Sequence, residues 1–285
     1  MFQYVCIVNA MQDRPPLAGV RVVSLAVNLP GPLAAARLRE LGATVTKVEP
    51  PSGDPLASGA PRWYSSLTAG QHIVSLDLKD SGDRAKLDEL LAETDLLITS
   101  MRPTALKRLE LSRPHERFPR LSLIEIVGRA GDLAERPGHD LNYQAAQGTL
   151  TPPHMPKVPI ADIVGAERAV STALAAIIAR GSFGTGAPYR VVLEDAATRA
   201  GEAVRYGLLG DGALLGGAFP GYGIYRSADG FVALGAIEPH FFARTLEVFG
   251  ADGSRAGLQD AFASKTTAEL ERIAAHADIP LNEVR

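Results

Sequence analysis

The sequence predicts an α/β protein with a large domain built on a parallel sheet and a smaller α+β domain after it. Apolar, β-branched segments alternate with helical segments along residues 16–209, and this alternation is typical of parallel strands joined by helices. The glycine-rich stretch GDGALLGGAFPG then changes the composition at 210–221 and predicts a domain boundary. With 285 residues, 46% of them hydrophobic, the chain is long enough to bury a sizeable core.

The first elements are the clearest. The run VRVVSLA from Val20 is β-branched and apolar, which predicts a buried strand. In the following AAARLRELGA, alanine, leucine and arginine recur at helical spacing, and Gly42 is a typical helix stop. Thr44–Glu49 is predicted as the second strand, and PPSGDP at 50–55 as the loop that ends it.

The rest of the chain continues the alternation. In the large domain we predict strands at 73–78, 95–99, 121–127 and 189–193, and helices at 82–93, 103–111, 142–150, 162–180 and 195–209. In the small domain we predict strands at 222–226 and 230–235 around the turn SADG, followed by helices at 239–249 and 267–277 that finish the chain.

Composition and charge exclude several classes of function. Lys and Arg number 29 against 32 Asp and Glu, a formal net charge of −3, so nothing favours nucleic acid or an anionic membrane as partner. No apolar run approaches the roughly 20 residues that a membrane-spanning helix needs. The single cysteine, Cys6, excludes an internal disulfide and predicts a cytoplasmic protein. The six histidines are scattered without ligand spacing, so no metal site is predicted.

The first residues are predicted to lie outside the folded domain. Residues 1–10 have neither the basic start nor the apolar length of a signal peptide. The globular pattern begins at Pro16, shortly after a second methionine, Met11. Our hypothesis is that residues 1–15 precede the domain and that residues 1–10 are a dispensable leader or a misassigned start. A paired strand at 1–10 in the core would contradict it.

General motifs give no specific chemistry. The sequence contains no phosphate-binding Walker loop, no G-x-S-x-G nucleophile turn, and no G-x-G-x-x-G after the first strand. The α/β pattern is therefore not accompanied by the glycine signature of dinucleotide-binding proteins, and motif spacing alone leaves the function open.

Longer segments carry a family resemblance. The opening PLAGVRVVSLA with GPLAAARLRELGATVTKVEPPSGDP, then HIVSLDLKD, DLLITSMRPTALKRLEL, RPGHDLNYQAAQGTL and YGIYRSADGFVALGAIEPHFF, together resemble the family III CoA-transferase superfamily, also called the carnitine dehydratase or bile-acid-inducible protein F family. Within it, GHDLNY at 138–143 and GAIEP at 235–239 are similar to the α-methylacyl-CoA racemase branch. The resemblance covers nearly everything from Pro16 to the last helix.

The resemblance implies an acyl-CoA isomerase of fatty acid metabolism. Such an enzyme removes the proton α to the thioester and returns it on the other face through an enolate. The implied proton carriers are His139 and Asp162, and Glu238 is implied to orient the histidine ring. Backbone N–H groups near Asp162, at the start of a helix, are expected to steady the enolate oxygen.

The resemblance also implies how the substrate is held. The implied contacts with the CoA moiety are Arg37, Arg102, Asp140 and Tyr143. No metal and no cofactor beyond the CoA of the acyl-CoA thioester substrate are expected.

The residues alone allow plainer interpretations. An aspartate before a helix, as at Asp162, is most often an N-cap, and a single histidine such as His139 is most often structural. Glu238 fits the favourable charge at a helix start. Asp140 and Tyr143 fit a helix start or a core position, and Arg37 and Arg102 fit solvated surface arginines.

Two other functions stay open from the sequence. A family III CoA transferase would use Asp162 as a nucleophile that forms an acyl intermediate while CoA moves between carboxylic acids. A degenerate, non-catalytic CoA-binding paralogue is the second alternative, because several loops depart from the family pattern. Among them are GRAGDL at 128–133 and the proline-rich link between Leu150 and Asp162.

The resemblance finally implies an assembly. Family members form interlocked homodimers, so Glu238 is expected to act on His139 of the neighbouring chain. The chain is also expected to lack a C-terminal segment with which relatives return to the large domain.

Overall fold

The computed structural model describes residues 15–285, which form two compact units. The first unit ends at Gly201 and the second comprises Glu202–Arg285. Composition placed the boundary later, at 209/210, where the glycine-rich stretch begins. The hypothesis about residues 1–10 lies outside the described residues.

The first unit is built on a parallel sheet. Its described strands are β1 (Arg21–Ser24), β2 (Thr44–Glu49), β3 (His72–Ser75), β4 (Leu96–Thr99), β5 (Ser122–Val127) and β6 (Pro188–Val192). They lie in the order β3-β2-β1-β4-β5-β6, and every neighbouring pair is parallel. This is the doubly wound order of the Rossmann fold, so the predicted fold class is confirmed. The strand order reverses between β1 and β4, which makes that position the topological switch point.

Helices cover both faces of this sheet. They are α1 (Pro30–Glu40), α2 (Pro55–Gly59), α3 (Pro61–Thr68), α4 (Ser81–Ala92), α5 (Pro103–Arg108), α6 (Asp140–Ala146), α7 (Ile160–Phe183) and α8 (Leu193–Ala200). On one face, buried alanines of α7 at positions 166, 169, 173 and 176 pack with α1 against the strands. Their three- and four-residue spacing forms one narrow stripe, so the helix approaches closely. The other face packs α4 and α5 on β1, β4 and β5.

The second unit has an antiparallel sheet and helices. Strand β7 (Tyr222–Arg226) pairs with β8 (Phe231–Gly235), and β8 pairs with β9 (Leu281–Glu283). Helices α10 (Pro239–Phe249), α11 (Arg255–Ala263) and α12 (Thr267–His276) follow the short helix α9 (Glu202–Arg205). In the predicted SADG turn, the Ser227 hydroxyl accepts a hydrogen bond from the Gly230 N–H at 2.9 Å. The predicted α+β character is confirmed.

Four elements were missed from the sequence. The loop was predicted at 50–55 and no element was predicted between it and the strand at 73–78, but Pro55 and Pro61 begin α2 and α3, where a missing N–H costs nothing. The other two are α11 and β9, and because β9 follows α12 it corrects the prediction that a helix finishes the chain. The predicted helix at 195–209 is also interrupted, because α8 stops at Gly201.

Helix α7 is longer than predicted. It begins at Ile160 rather than 162 and runs to Phe183, where Gly184 ends it with φ +80°, a conformation that suits glycine. No helix in the described part of the chain is long and apolar enough to cross a membrane.

A glycine beside β6 provides a test of the packing. A Cβ at Gly186 would lie 2.2 Å from the Leu121 carbonyl oxygen, and backbone at this depth cannot easily move aside. We expect Gly186→Ala to lower the free energy of unfolding by about 2–3 kcal/mol, measured by urea denaturation. Gly181→Ala is the matched control, because nothing lies within 4 Å of its Cβ position in α7. There alanine should stabilise by about 0.5–1 kcal/mol. Equal midpoints for the two variants would contradict this packing.

Candidate active site

A cavity of about 300 Å³ opens at the carboxyl ends of the central strands. Its walls come from the segment after β1 (Val27 to Pro30), the segment after β4 (Ser100 to Arg102) and Gly128 after β5. We call it the switch-point cavity, because the first two segments follow the strands at which the order reverses. In doubly wound sheets this is the usual place for a ligand.

The two predicted proton carriers line the switch-point cavity together. His139 immediately precedes α6 and is exposed. Its backbone N–H donates to the Asn142 side-chain oxygen at 3.0 Å, which fixes the start of that helix. Asp162 lies in the first turn of α7 and is mostly buried. The fold therefore brings together two groups that are 23 positions apart in sequence, His139 and Asp162.

The Asp162 carboxyl has an unusual affinity for protons. Burial raises its pKa to about 7, and the negative charge of Asp140 contributes in the same direction. Among the described residues no cation pairs with it. Near neutral pH this carboxyl therefore exists in both protonated and ionised forms.

Asp140 connects the two helices that carry these groups. Its Oδ1 accepts hydrogen bonds from the N–H groups of Ala161 at 2.7 Å and Asp162 at 3.3 Å. Its Oδ2 accepts one from the Gln144 side-chain amide at 2.6 Å. Asp140 thus caps α7 from outside, since Pro159 at the N-cap position offers no side-chain acceptor. It does not line the switch-point cavity.

The expected enolate donors at the start of α7 are already engaged. Asp140 takes the N–H groups of Ala161 and Asp162, as described above. The N–H of Ile160 donates to Val158 and that of Ile163 to Pro159, each at 3.0 Å. The expectation that backbone donors of this helix steady an enolate oxygen therefore stays a prediction, and it requires that one of these N–H groups exchange its acceptor within the protein for the substrate.

Tyr143 lines the switch-point cavity and is 1% exposed. Burial raises the pKa of its phenol, partly offset by the nearby Arg129 guanidinium, which stacks on the ring at 5.4 Å. A Cβ at Gly128 would lie 2.1 Å from the phenol oxygen, so glycine is required there.

The remaining predicted site residues are distributed differently. Arg102 lines the switch-point cavity, and so does Arg136, which the sequence analysis did not single out. Arg37 lies in the last turn of α1, pairs with Glu40 at 2.8 Å and does not line this cavity. Glu238 lies in the second unit, where it is exposed and immediately precedes α10.

A second cavity of about 740 Å³ shares a wall with the first. Val27, Ser100 and Met101 line both. We call the second one the cationic cavity, because Lys79, Arg84 and Arg108 line it; Glu49 and Asp77 are there as well. The sequence analysis missed these cations, although Lys79 belongs to a loop just after β3 and Arg108 to the helix after β4.

Metal ligands are not grouped in the described part of the chain. Over residues 15–285, no set of three or more His, Cys, Asp or Glu side chains is arranged to hold a metal ion. The charged and imidazole groups of the two cavities are instead carboxyls, guanidinium groups, one imidazole and one ammonium group, which are suited to proton transfer and to binding anions.

Comparison with known proteins relates this arrangement to one family. The sequence model of CoA-transferase family III matches residues 17–285. Human alpha-methylacyl-CoA racemase is 31% identical over 89% of this chain and 73% of its own length. Succinate–glutarate CoA-transferase of Agrobacterium fabrum is 29% identical over 83% of this chain and 67% of its own.

Solved structures show the same fold. A hypothetical protein from Mycobacterium tuberculosis superimposes with a TM-score of 0.82 at 23% identity, covering 95% of this chain and 86% of that one. A CaiB/BaiF family protein from Brucella suis gives a TM-score of 0.78 at 23% identity, covering 95% of this chain and 84% of its own.

The raised pKa of Asp162 predicts a specific pH dependence of stability. Because the folded-state pKa lies above the ordinary value of 3.8, its stabilising contribution is present below about pH 4 and lost as pH rises through about 7. We expect Asp162→Asn to raise the free energy of unfolding by roughly 2 kcal/mol at about pH 8. This is less than the whole pKa shift corresponds to, because the side chain keeps some solvent contact.

Urea denaturation of both proteins between about pH 5 and pH 8 measures this difference. Asp132→Asn, at an exposed aspartate outside both cavities, is the control and should show no such trend. A difference between Asp162→Asn and the parent that stays constant over this pH range would contradict the raised pKa.

Proposed function

The chain belongs to CoA-transferase family III, and from this premise we propose that it catalyses proton exchange at the carbon α to the thioester of a 2-methylacyl-CoA. One observation carries the proposal: His139 and Asp162 line one cavity, and the pKa of Asp162 is about 7. A group that titrates near the working pH can both take up and return a proton.

The reaction needs two proton carriers and a place for negative charge. In our proposal one of His139 and Asp162 removes the α-proton and the other donates to the opposite face, with roles exchanged for the other enantiomer. The enolate oxygen carries negative charge, and the guanidinium groups of Arg102 and Arg136 line the same cavity. They are the candidates to stabilise that charge, since the N–H groups of α7 are engaged.

The adjoining cavities fit the two ends of a CoA thioester. CoA carries phosphate groups, which bind well to arginine and lysine, and the cationic cavity offers Lys79, Arg84 and Arg108. The shared wall of Val27, Ser100 and Met101 would then run beside the pantetheine arm. The thioester would lie in the switch-point cavity, near Asp162.

CoA transfer between carboxylic acids is the second candidate, favoured by Arg102 and Arg136. Two guanidinium groups in the cavity of Asp162 could bind the carboxylate of a second acid. In that reaction the Asp162 carboxylate attacks the thioester carbonyl and expels the CoA thiolate, which leaves an acyl anhydride. The thiolate then attacks the Asp162 carbonyl, which releases the first acid and forms an aspartyl–CoA thioester. The second acid attacks this thioester and expels the thiolate again, leaving a new anhydride. Attack of the thiolate on the new acyl carbonyl gives the second acyl-CoA and returns the Asp162 carboxylate.

Three further properties belong to this proposal. We propose an interlocked homodimer in the cytoplasm, with Glu238 orienting His139 of the neighbouring chain, as the family resemblance implies. A monomeric mass in small-angle scattering would contradict the dimer. Arg37 and Asp140 were also predicted to contact CoA. In the structure Arg37 forms an ion pair with Glu40, and Asp140 accepts hydrogen bonds from the first N–H groups of α7, so each side chain has another role.

Deuterium incorporation distinguishes the candidate functions. We expect a single enantiomer of a 2-methylacyl-CoA, incubated with the protein in deuterated water, to gain α-deuterium and lose optical purity. His139→Ala and Asp162→Asn should each reduce incorporation at least about 100-fold, while His154→Ala, a histidine outside both cavities, should not. CoA appearing on an added free acid without deuterium uptake would favour the transferase. The absence of both deuterium uptake and CoA transfer would favour the non-catalytic paralogue.

A cation of the second cavity should affect binding of the nucleotide end. We expect Arg108→Ala to raise KM for the CoA thioester about tenfold, because an ionic hydrogen bond to phosphate is lost. KM for the matching pantetheine thioester, which lacks the nucleotide, should not change. Arg113→Ala is the control, since Arg113 is exposed and its ion-pair partner in the described part of the chain is Glu116. An equal effect on both substrates would contradict a phosphate site in the cationic cavity.

A further inference from the structure

The wall of the switch-point cavity after β1 has a constrained backbone. Val27, Asn28 and Pro30 line the cavity, and Asn28 has φ +68°. This left-handed region is uncommon for residues other than glycine, and asparagine is among those that tolerate it best. A segment held in such a conformation needs contacts that fix it.

A single ion pair supplies those contacts. The Lys47 ammonium group donates to the Ala26 carbonyl oxygen at 3.0 Å and to Asp54 Oδ2 at 2.8 Å. The other oxygen, Asp54 Oδ1, accepts the Asn28 N–H at 3.0 Å. The two backbone groups on either side of Val27 are therefore held by one lysine and one aspartate.

The ion pair is fully removed from solvent. The side chains of Lys47 and Asp54 are 1% and 0% exposed. Burying two charges costs so much desolvation energy that apolar replacements are often as stable or more stable. Stability alone is thus a weak reason for charges here, whereas the fixed hydrogen bonds to residues 26 and 28 are something apolar side chains cannot provide.

The same lysine also lies close to a residue that lines the neighbouring cavity. Lys47 lies 3.6 Å from Glu49 Oε1, and Glu49 lines the cationic cavity. Glu49 is held in turn by the Tyr64 hydroxyl, which donates to it at 2.7 Å. Charged groups at the end of β2 are thereby connected to the loop that lines the switch-point cavity.

We propose that the buried Lys47–Asp54 pair acts as a positioning element for the reaction, holding residues 26–30 in the shape that forms the wall of the switch-point cavity. This rests on the proposed function for its effect on turnover. Small displacements of groups around a reacting centre can reduce turnover about 100-fold without removing the reacting groups themselves.

The test replaces both charges at once. In Lys47→Met/Asp54→Leu both charges of the pair are removed together. Glu49 loses the ammonium group 3.6 Å away but keeps its hydrogen bond from the Tyr64 hydroxyl, so the protein should fold, while the Ala26 and Asn28 backbone groups lose their partners. We expect hydrogen exchange of the Asn28 amide to accelerate at least about tenfold. The kcat for α-deuterium incorporation should fall about 100-fold, with KM within about threefold of the parent.

The control variant removes an ion pair between two other strands of the same sheet. Arg190 donates to Glu125 at 2.7 Å between β6 and β5, and neither residue lines either cavity. Arg190→Met/Glu125→Leu should leave the Asn28 exchange rate and kcat within about twofold of the parent. If the effects came from a general loss of stability, Asn28 exchange and kcat would change alike in both double variants.

A single substitution provides a second route if the double variant does not fold. Asp54 Oδ1 accepts the N–H groups of Asn28 and Leu56, so the amide of Asp54→Asn cannot keep these bonds and also accept from Lys47. We expect a smaller fall in kcat for this variant. Unchanged Asn28 exchange in the double variant would overturn the proposal, as would kcat within twofold of the parent in either variant. A parent protein without proton exchange or CoA transfer would refute the proposed function, whereas Asn28 exchange would still decide whether the pair holds the loop.

Discussion

The candidate site depends on the carboxylate of Asp140, which caps a helix from outside. Helix α7 begins after a proline-rich link, and Pro159 before it has no side chain that can accept a hydrogen bond. Unsatisfied N–H groups at a buried helix start are costly. Asp140 satisfies two of them and so fixes Asp162 beside its own negative charge. The carboxylate that caps α7 thereby also helps to raise the pKa of Asp162 through its negative charge.

Strand order explains why two cavities adjoin. At the switch point between β1 and β4 the connections turn to opposite sides, which leaves a crevice at the carboxyl ends of the strands. The alanine stripe of α7 lets that helix pack closely on α1 and the sheet, and its start then reaches this crevice. Ser100 and Met101, directly after β4, lie between the cavity that holds His139 and Asp162 and the cavity lined by Lys79, Arg84 and Arg108. The fold thus provides two adjoining cavities with different side chains.

Local sequence predicts the regular parts of this structure and leaves out what depends on distant contacts. In TVTKVE at Thr44–Glu49 four of the six residues are β-branched, and this strand was predicted with its observed bounds. The three-residue strand β9, in contrast, exists only through pairing with β8. His139 and Asp162 came from a family resemblance, and the fold brings them to one cavity. No spacing rule links Lys47 to Asn28 or Arg84 to Arg108, so these groupings needed the tertiary structure.

The carboxylates of Asp95 and Asp162, at opposite ends of β4, have pKa values shifted in opposite directions. This difference distinguishes a role in stability from a role in proton transfer. At the amino end, burial opposes ionisation of Asp95, but hydrogen bonds from the Arg120 and Arg180 guanidinium groups and the Arg21 N–H outweigh it and lower its pKa. At the carboxyl end, Asp162 is mostly buried but no cation of residues 15–285 pairs with it, so its pKa rises. A carboxylate with such hydrogen bonds stabilises the folded protein over the whole neutral range, whereas ionisation of Asp162 lowers the stability of the folded protein there. A destabilising group of this kind, beside a histidine in a crevice, is more readily explained by proton transfer than by folding.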